Sequence, residues 1–274
     1  MLIPSSMVSW IVLLSIATKS STHRPTNNMA SPTVVLITGT TRGVGEAILK
    51  LYLSKPNHVI ISANRDPSNT ASQALLSLPA ADGTKHIITK IDCDVPADPA
   101  NAVKDLASRG IDHVDIVIAN AGIALLWTSV AEVKTEDIQK HINTNVYGFI
   151  HLYQAFRPLL KGSTSPVWVT IGSCAAWLTD MIPMKNAAYA PTKLMEHWYT
   201  KAIHIEEPEI CAFPIDPGWA QTDLGNRGAE AFGYEQAAVP VPVSAAGIVS
   251  VVDSATRETH SGKMWTHEGK AVAW

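Results

Sequence analysis

The sequence has few cysteines, no excess of cations and no metal-binding motif. Its three cysteines, Cys93, Cys174 and Cys211, include no Cys-x-x-Cys pair, which gives little support to a disulfide framework or a zinc site and favours a reducing, cytoplasmic location. None of the ten histidines lies in a His-Glu-x-x-His pattern, so no metal is expected. The net charge is -3, and the 21 lysines and arginines are spread along the chain, so nucleic acid is not an expected partner.

A long apolar segment is also missing. The run from Met7 to Ala17 is too short to span a bilayer, and no basic residue precedes it as in a secretory leader. Met29 is an alternative start. Residues 1–30 are interpreted as a poorly ordered extension or a mis-assigned first exon, with a cleaved or membrane-associating leader as the alternative. Stable membrane insertion is not expected.

From Thr33 onward, short β-branched segments alternate with stretches of helical periodicity, as in a parallel sheet with crossover helices. No repeat or Pro/Gly/Ser-rich linker divides residues 31–274. We predict a single α/β domain of the Rossmann type, a doubly wound parallel seven-stranded sheet whose ligands bind beyond the carboxyl ends of its strands. The predicted strands are Thr33 to Thr38, His58 to Ala63, Lys85 to Ile91, Val114 to Ala119, Pro166 to Gly172, Ile210 to Ile215 and Lys263 to His267.

A glycine-rich segment follows the first predicted strand. Gly39, Gly43 and Gly45 are spaced Gly-x-x-x-Gly-x-Gly, with Val44 between the last two, and open a helix predicted from Glu46 to Leu53. Glycines at such a turn let the backbone approach a pyrophosphate, whose charge is stabilised by free N–H groups and the helix dipole. The alternative is that they only end a strand and begin a helix. Their position between a strand and a helix favours a nucleotide site.

Cations follow the second predicted strand. An NAD-selective fold places a carboxylate there for the ribose 2'-hydroxyl, whereas this sequence has Arg65. Arg42, inside the glycine loop, is a second cation that would help to hold a 2'-phosphate. The predicted cofactor is therefore NADPH or NADP+, with two solvated surface arginines as the alternative. Asp92 and Asn120, after the third and fourth strands, are predicted to face the adenosine half, with a capping role as the alternative for Asp92.

A tyrosine and a lysine are spaced to share one face of a helix. Tyr189 and Lys193 lie four residues apart, and Pro191 indicates that the helix begins near Tyr189, because proline is tolerated in a first turn. An ammonium beside a phenol is expected to lower its pKa from about 10 toward neutral. Tyr189 would then protonate the alkoxide that forms when nicotinamide delivers hydride to a ketone, and Ser173 would hydrogen-bond the same oxygen.

Several motifs occur together in a fixed order over residues 33–274. They are Thr38-Gly-x-x-x-Gly-x-Gly45, Asn120-Ala121-Gly122, Asn145-Val146-Tyr147-Gly148, Ser173, Tyr189-x-x-x-Lys193 and Asp216-Pro217-Gly218. In this combination the chain resembles the short-chain dehydrogenase/reductases. The interval between Ser173 and Tyr189 is longer than is usual in that family, which implies a longer loop beside the substrate.

The resemblance implies a set of roles. Ser173, Tyr189 and Lys193 would form the catalytic triad, and Lys193 would also hold the nicotinamide ribose. Asn145 would anchor a water molecule of the proton relay, with a helix-bending amide as the alternative. The resemblance also implies a homo-oligomer paired through the helices that flank the site. Four residues after the sixth strand would wrap the nicotinamide and its phosphate: Pro217, Gly218, Ala220 and Thr222.

Within the family, the segment from Ile215 to Gly225 and the terminal Trp274 are similar to fungal polyketide ketoreductases of the norsolorinic acid ketoreductase type. This similarity implies a small-molecule ketone of secondary metabolism, such as an aromatic polyketide, that is reduced to a secondary alcohol. Two other functions stay open. One is an NADP-dependent alcohol dehydrogenase working in oxidation, and the other is a non-enzymatic NADP(H) sensor.

Tryptophans are numerous, with eight in 274 residues. Trp127, Trp177 and Trp219 each follow a predicted strand. We predict that they flank a flat aromatic ketone beneath a mobile lid formed by Asp223 to Ala238. The alternative is that they are ordinary core or surface indoles.

Overall fold

Strands with continuous apolar runs form one central sheet. The computed structural model describes residues 31–274, so the interpretation of residues 1–30 lies outside the described residues. Val34 to Ile37 are all buried because helices cover both faces of the sheet. The strands of the described residues are β1 (Thr33–Thr38), β2 (His58–Asn64), β3 (Lys85–Lys90), β4 (Ile116–Ala119), β5 (Val167–Ile171), β6 (Cys211–Asp216), β7 (Met264–Thr266) and β8 (Ala271–Val272).

The strand order is β3-β2-β1-β4-β5-β6-β7-β8, and the pairs from β3 through β7 are parallel. The predicted Rossmann-type α/β fold is confirmed. The predicted strand count of seven is wrong by one, since β8 pairs antiparallel with β7 among the described residues. The turn before β8 has Gly269 at φ +78°, a left-handed conformation that suits glycine. A two-residue strand is too short to show periodicity in a sequence.

Helices pack on both faces of this sheet. On one face, Phe149, Leu152, Phe156 and Leu160 recur at helical spacing and form one buried cluster with Trp168 of β5, against which Phe149 packs directly. No helix among residues 31–274 is long and apolar enough to cross a membrane. The helices are α1 (Gly43–Leu53), α2 (Thr70–Ala74), α3 (Asp98–Ser108), α4 (Thr135–His141), α5 (Gly148–Lys161), α6 (Tyr189–Glu206), α7 (Asp223–Ala231), α8 (Val241–Asp253) and α9 (Arg257–His260).

A wider helical turn joins α4 to α5. Residues Ile142–Tyr147 are π-helical, so that α4, this turn and α5 form one continuous helical segment. Single π-helical turns inside longer helices occur frequently at functional sites. The buried side chain of Asn145 projects from this turn.

Candidate active site

A cleft of about 1200 Å³ opens where β1, β4, β5 and β6 end. This is the edge at which ligands of such a sheet bind. Nearly all of the sequence-predicted site residues line this cleft, and Asn145 is the exception. Those that line it are Gly39, Arg42, Gly43, Val44, Gly45, Arg65, Asp92, Asn120, Ser173, Tyr189, Lys193, Pro217, Gly218, Ala220 and Thr222.

The glycine loop lies directly against the end of β4. Gly39 and Gly43 have φ of +70° and +61°, so both require the left-handed region that glycine favours. A Cβ atom on Gly45 would clash with the carbonyl oxygen of Gly39. Asn120 closes this contact, since its Nδ2 donates to the carbonyl oxygens of Thr38 at 2.8 Å and Gly39 at 3.2 Å. The side chain of Asn120 therefore holds the loop in shape.

The two predicted phosphate-binding arginines lie on the cleft, and both are exposed. Arg42 precedes α1, and its Nη1 lies 3.6 Å from Oδ2 of Asp223 on α7, with 77% of its side chain exposed. An exposed pair of this kind is weak, so a phosphate can compete for the guanidinium. Arg65 follows β2. The next residue, Asp66, does not line the cleft, and its carboxylate accepts hydrogen bonds from Ser68.

The carboxylate of Asp92 stabilises a local turn at the rim of the cleft. Its Oδ1 accepts a hydrogen bond from the N–H of Asp94 at 3.1 Å, and its own N–H donates to Oδ2 of Asp98 at 3.0 Å. Asp92 thus lies on the cleft, and its side chain does not cap α3, whose N-cap residue is Ala97.

Ser173, Tyr189 and Lys193 meet at the end of β5. Helix α6 begins at Tyr189, as predicted, with Pro191 in its first turn. Nζ of Lys193 lies 6.0 Å from the centroid of the Tyr189 ring. The hydroxyl of Ser173 accepts a hydrogen bond from the N–H of Ala175 at 3.2 Å, and it lies close enough to the phenol to lower the pKa of Tyr189. A phenol, a hydroxyl and an ammonium therefore face one region of the cleft.

The pKa of Tyr189 is raised above its usual value, so the prediction of a lowered pKa is wrong. Burial has the largest effect, because it disfavours the phenolate. The charge of Lys193 and the nearby hydroxyl of Ser173 act in the opposite direction, while the negative charge of Glu196 adds to the rise. The phenol therefore keeps its proton at neutral pH.

A buried histidine supports the backbone of Ser173. The N–H of Ser173 donates to Nε2 of His197 at 3.3 Å, and a Cβ atom on Gly172 would clash with that ring. Burial, followed by the nearby charge of Lys193, lowers the pKa of His197 to about 3. The imidazole is therefore neutral and accepts this hydrogen bond. The rings of His197 and Trp274 pack in a T-shaped arrangement, with their centroids 6.5 Å apart.

Asn145 lies behind the cleft and connects two of its walls through hydrogen bonds. Its Oδ1 accepts from the N–H of Ile123 at 2.8 Å, and its Nδ2 donates to the carbonyl oxygen of Ile123 at 2.9 Å. The same Nδ2 donates to Oγ1 of Thr192 at 3.0 Å, and that hydroxyl donates to the carbonyl oxygen of Tyr189 at 2.7 Å. This amide connects the loop after β4 to the first turn of α6. Its role in a water relay stays a prediction.

The segment after β6 passes under the cleft and leads into α7. Gly218 has φ of +71°, and the carbonyl oxygen of Pro217 accepts a hydrogen bond from the hydroxyl of Ser244 at 2.6 Å. Thr222 caps α7, because its Oγ1 accepts from the N–H of Gly225 at 3.0 Å. The N-terminal turn of α7, capped by Thr222, lies on the cleft beside Ala220.

Two of the three predicted tryptophans line the cleft, and Trp177 does not. The 3₁₀ turn Cys174–Ala176 separates Trp177 from the end of β5. Trp219 donates from Nε1 to the carbonyl oxygen of Gly225 at 3.0 Å. The ring of Phe232, at the end of α7, packs edge-on against Trp127 and lies 6.4 Å from the ring of Trp219. The segment from Asp223 to Ala238 thus packs against the indole rings of Trp127 and Trp219.

Two features of the site were missed in the sequence. Glu196 is buried against Lys193, although its position three residues later on the helix was a readable signal. The loop between Ser173 and Tyr189 also contributes Ile182, Met184 and Asn186 to the cleft. The sequence predicted a longer loop there without indicating which side chains would face inward.

Comparison with known proteins places the chain in a family. A family model described as short chain dehydrogenase matches residues 33–231. The chain belongs to the short-chain dehydrogenase family. The predicted family and the prediction of an oxidoreductase are confirmed.

The relatives of this short-chain dehydrogenase include named fungal enzymes. It is 36% identical to the norsolorinic acid ketoreductase of Dothistroma septosporum, over 92% of this chain and 96% of the relative. It is 35% identical to the norsolorinic acid ketoreductase of Aspergillus parasiticus, over 88% of this chain and 91% of the relative. Among solved structures, the NADPH-bound carbonyl reductase from chicken fatty liver matches with a TM-score of 0.77 and 25% identity, over 89% of this chain and all of that chain.

Proposed function

We propose that this short-chain dehydrogenase uses NADPH to reduce a ketone on an aromatic polyketide to a secondary alcohol. The observation that carries the proposal is the meeting of Ser173, Tyr189 and Lys193 at the end of β5, within a cleft that also contains the glycine loop and two indoles. The names of the fungal relatives support the substrate class.

The residues present fit a dinucleotide phosphate. Gly39 precedes α1 and Gly45 lies in its first turn, and the absence of a Cβ atom on Gly45 lets the turn pack against the carbonyl oxygen of Gly39. The positive end of that helix favours a pyrophosphate. Arg42 and Arg65 would hold the 2'-phosphate, because guanidinium groups bind phosphate oxygens through two parallel hydrogen bonds. Thr222 and the N-terminal turn of α7 would contact the nicotinamide end.

The proposed chemistry needs one proton from the protein. When bound, NADPH supplies a hydride to the carbonyl carbon. Tyr189 would donate its phenolic proton to the carbonyl oxygen, which completes the secondary alcohol. Ser173 would hydrogen-bond that oxygen and stabilise the charge that forms on it. Lys193 would bind the nicotinamide ribose, and its ammonium would stabilise the phenolate that remains.

The arginines give a prediction about cofactor selection. Replacing Arg42 or Arg65 with Ala is expected to raise the dissociation constant for NADPH by about tenfold to a hundredfold, because each guanidinium makes a charge-assisted contact. NADH binding should change little. Arg109→Ala is the control, since that arginine pairs with Asp105 on α3, away from the cleft. Equal losses for NADH and NADPH would contradict the assignment.

The aromatic walls give a prediction about the substrate. NADPH oxidation by the purified protein should be faster with polycyclic aromatic ketones than with aliphatic ketones. Trp127→Leu is expected to raise KM for an aromatic ketone about tenfold and to change KM for an aliphatic ketone much less, because stacking on the indole is lost.

Trp198→Leu is the matched control for this measurement. Trp198 lies on α6, is 64% exposed and does not line the cleft. Its replacement should leave both KM values near those of the wild type. A Trp127 variant that loses affinity for both kinds of ketone to the same extent would contradict an aromatic pocket.

A further inference from the structure

A buried carboxylate lies next to the ammonium of Lys193. Oε2 of Glu196 is 2.9 Å from Nζ of Lys193, and the two side chains are only 3% and 5% exposed. A second donor of the ammonium is used by the carbonyl oxygen of Ile171, also at 2.9 Å. The proposed proton transfer gives Glu196 no part, yet this carboxylate is the nearest acidic partner of a group that the transfer needs.

Stability does not explain this carboxylate. Removing two charges from water is costly, and a buried ion pair is often no more stable than well-packed apolar residues of similar volume. Oε1 of Glu196 is buried and has no hydrogen-bond partner within residues 31–274. An unpaired oxygen adds to that cost. The presence of the charge at this point therefore indicates a role in the chemistry of its neighbours.

Glu196 places a negative charge beside both Tyr189 and Lys193. The charge of Glu196 raises the pKa of Tyr189 and that of Lys193.

Three other titratable groups lie near these residues. Burial raises the pKa of Cys93, which lies on the loop after β3, to about 12, so its thiol is neutral. Burial also raises the pKa of Asp216, at the end of β6, and this residue adds a smaller rise to the pKa of Tyr189. The imidazole of His197, beside Glu196 on α6, is neutral.

We propose that Glu196 is a positioning residue that fixes the ammonium of Lys193 and keeps the phenol of Tyr189 protonated, so that the site donates a proton to a ketone. This inference rests on the proposed role of Tyr189. The direction of the effect follows from charge alone, since a negative neighbour makes loss of a proton from either group less favourable.

The sign of the pH dependence can be worked out. Burial raises the pKa of Glu196 to about 7, so the carboxylate is charged in the alkaline range where Tyr189 loses its proton. Removing that charge takes away one of the causes that raise the pKa of Tyr189, so the phenol loses its proton at a lower pH. Reduction requires the protonated phenol, so its rate should then fall at a lower pH.

The test is Glu196→Gln, which keeps the shape of the side chain without its charge. The alkaline limb of the pH profile of kcat/KM for ketone reduction is expected to move down by about one pH unit or more. Glu196→Asp keeps the charge, so the alkaline limb of its kcat/KM profile should stay at the pH of the wild type. Glu207→Gln is the matched control, because Glu207 is a buried glutamate at the end of the same helix, paired with Arg157 and Lys161 instead.

A second measurement needs no substrate. The ultraviolet absorbance of tyrosinate is titrated in each variant, with the same variant carrying Tyr189→Phe subtracted, so that the midpoint of this phenol is observed directly. We expect a lower midpoint in Glu196→Gln than in the wild type and in Glu207→Gln. An unchanged midpoint, or equal shifts in Glu196→Gln and Glu196→Asp, would overturn the proposal. If Glu196→Gln does not fold, a wild-type midpoint at or below that of free tyrosine would overturn it. The midpoint is read even if every ketone tested fails as a substrate, which separates this inference from the proposed reaction.

Discussion

Tyr189→Phe is expected to lower kcat for ketone reduction by about a hundredfold to ten thousandfold while NADPH still binds. The size follows from the usual contribution of a positioned proton donor. The ring stays in place, but no proton reaches the carbonyl oxygen. The measurements are NADPH oxidation under saturating ketone and NADPH affinity by titration of the cofactor fluorescence.

Tyr199→Phe is the control for that variant. Tyr199 lies on the same helix and packs against Phe149 on the outer face of the sheet, away from the cleft. Its replacement should leave kcat unchanged. A Tyr189→Phe variant with full turnover would contradict the proton-donor role. It would favour the NADP(H)-sensor alternative, because a sensor has no need of that hydroxyl.

Gly45→Ala is expected to abolish NADPH binding at millimolar cofactor. The added methyl would clash with the carbonyl oxygen of Gly39 and lie 2.5 Å from Nδ2 of Asn120. The carbonyl is backbone and the amide is held by its hydrogen bonds to Thr38 and Gly39, so neither can move without opening the glycine loop. Cofactor titration should show no saturable binding, and the thermal stabilisation by NADPH should be lost.

Gly110→Ala separates this effect from general strain. Gly110 has φ of +80°, but a Cβ atom there would meet nothing within 4 Å. That variant should lose about 1 kcal/mol of stability and bind NADPH normally. Normal NADPH binding by Gly45→Ala would show that the glycine loop does not hold the cofactor as proposed.

Much of the fold could be predicted because the information is local. The bounds of β1 were predicted without error, since an uninterrupted apolar run ends at a glycine with a left-handed backbone. The start of α6 at Tyr189 followed from Pro191 in the same way. The hairpin of β7 and β8 was not predicted, because Ala271–Val272 becomes a strand only through pairing with a neighbour.

Most of the residues that line the cleft could be predicted from the sequence, but the pKa of the Tyr189 phenol could not. Spacing along the chain places Tyr189 and Lys193 on one helical face, which needs no knowledge of tertiary structure. The pKa of the phenol depends on how much water the rest of the protein removes, and the sequence carries no direct signal of that. The same limit applies to Trp177, whose distance from the cleft depends on one intervening turn.

The wide turn at Ile142–Tyr147 has a consequence for insertions and deletions in this region. A π-helical turn accommodates one more residue than the regular helix would, so the flanking segments α4 and α5 keep their orientation around an additional residue. Deleting one residue here would restore a regular helix and leave both flanking segments nearly in place, while side chains within the turn would rotate about the helix axis by up to about 100°. Asn145 would then turn away from Ile123, and the loop after β4 would lose its two hydrogen bonds to this amide although every neighbouring residue type was retained.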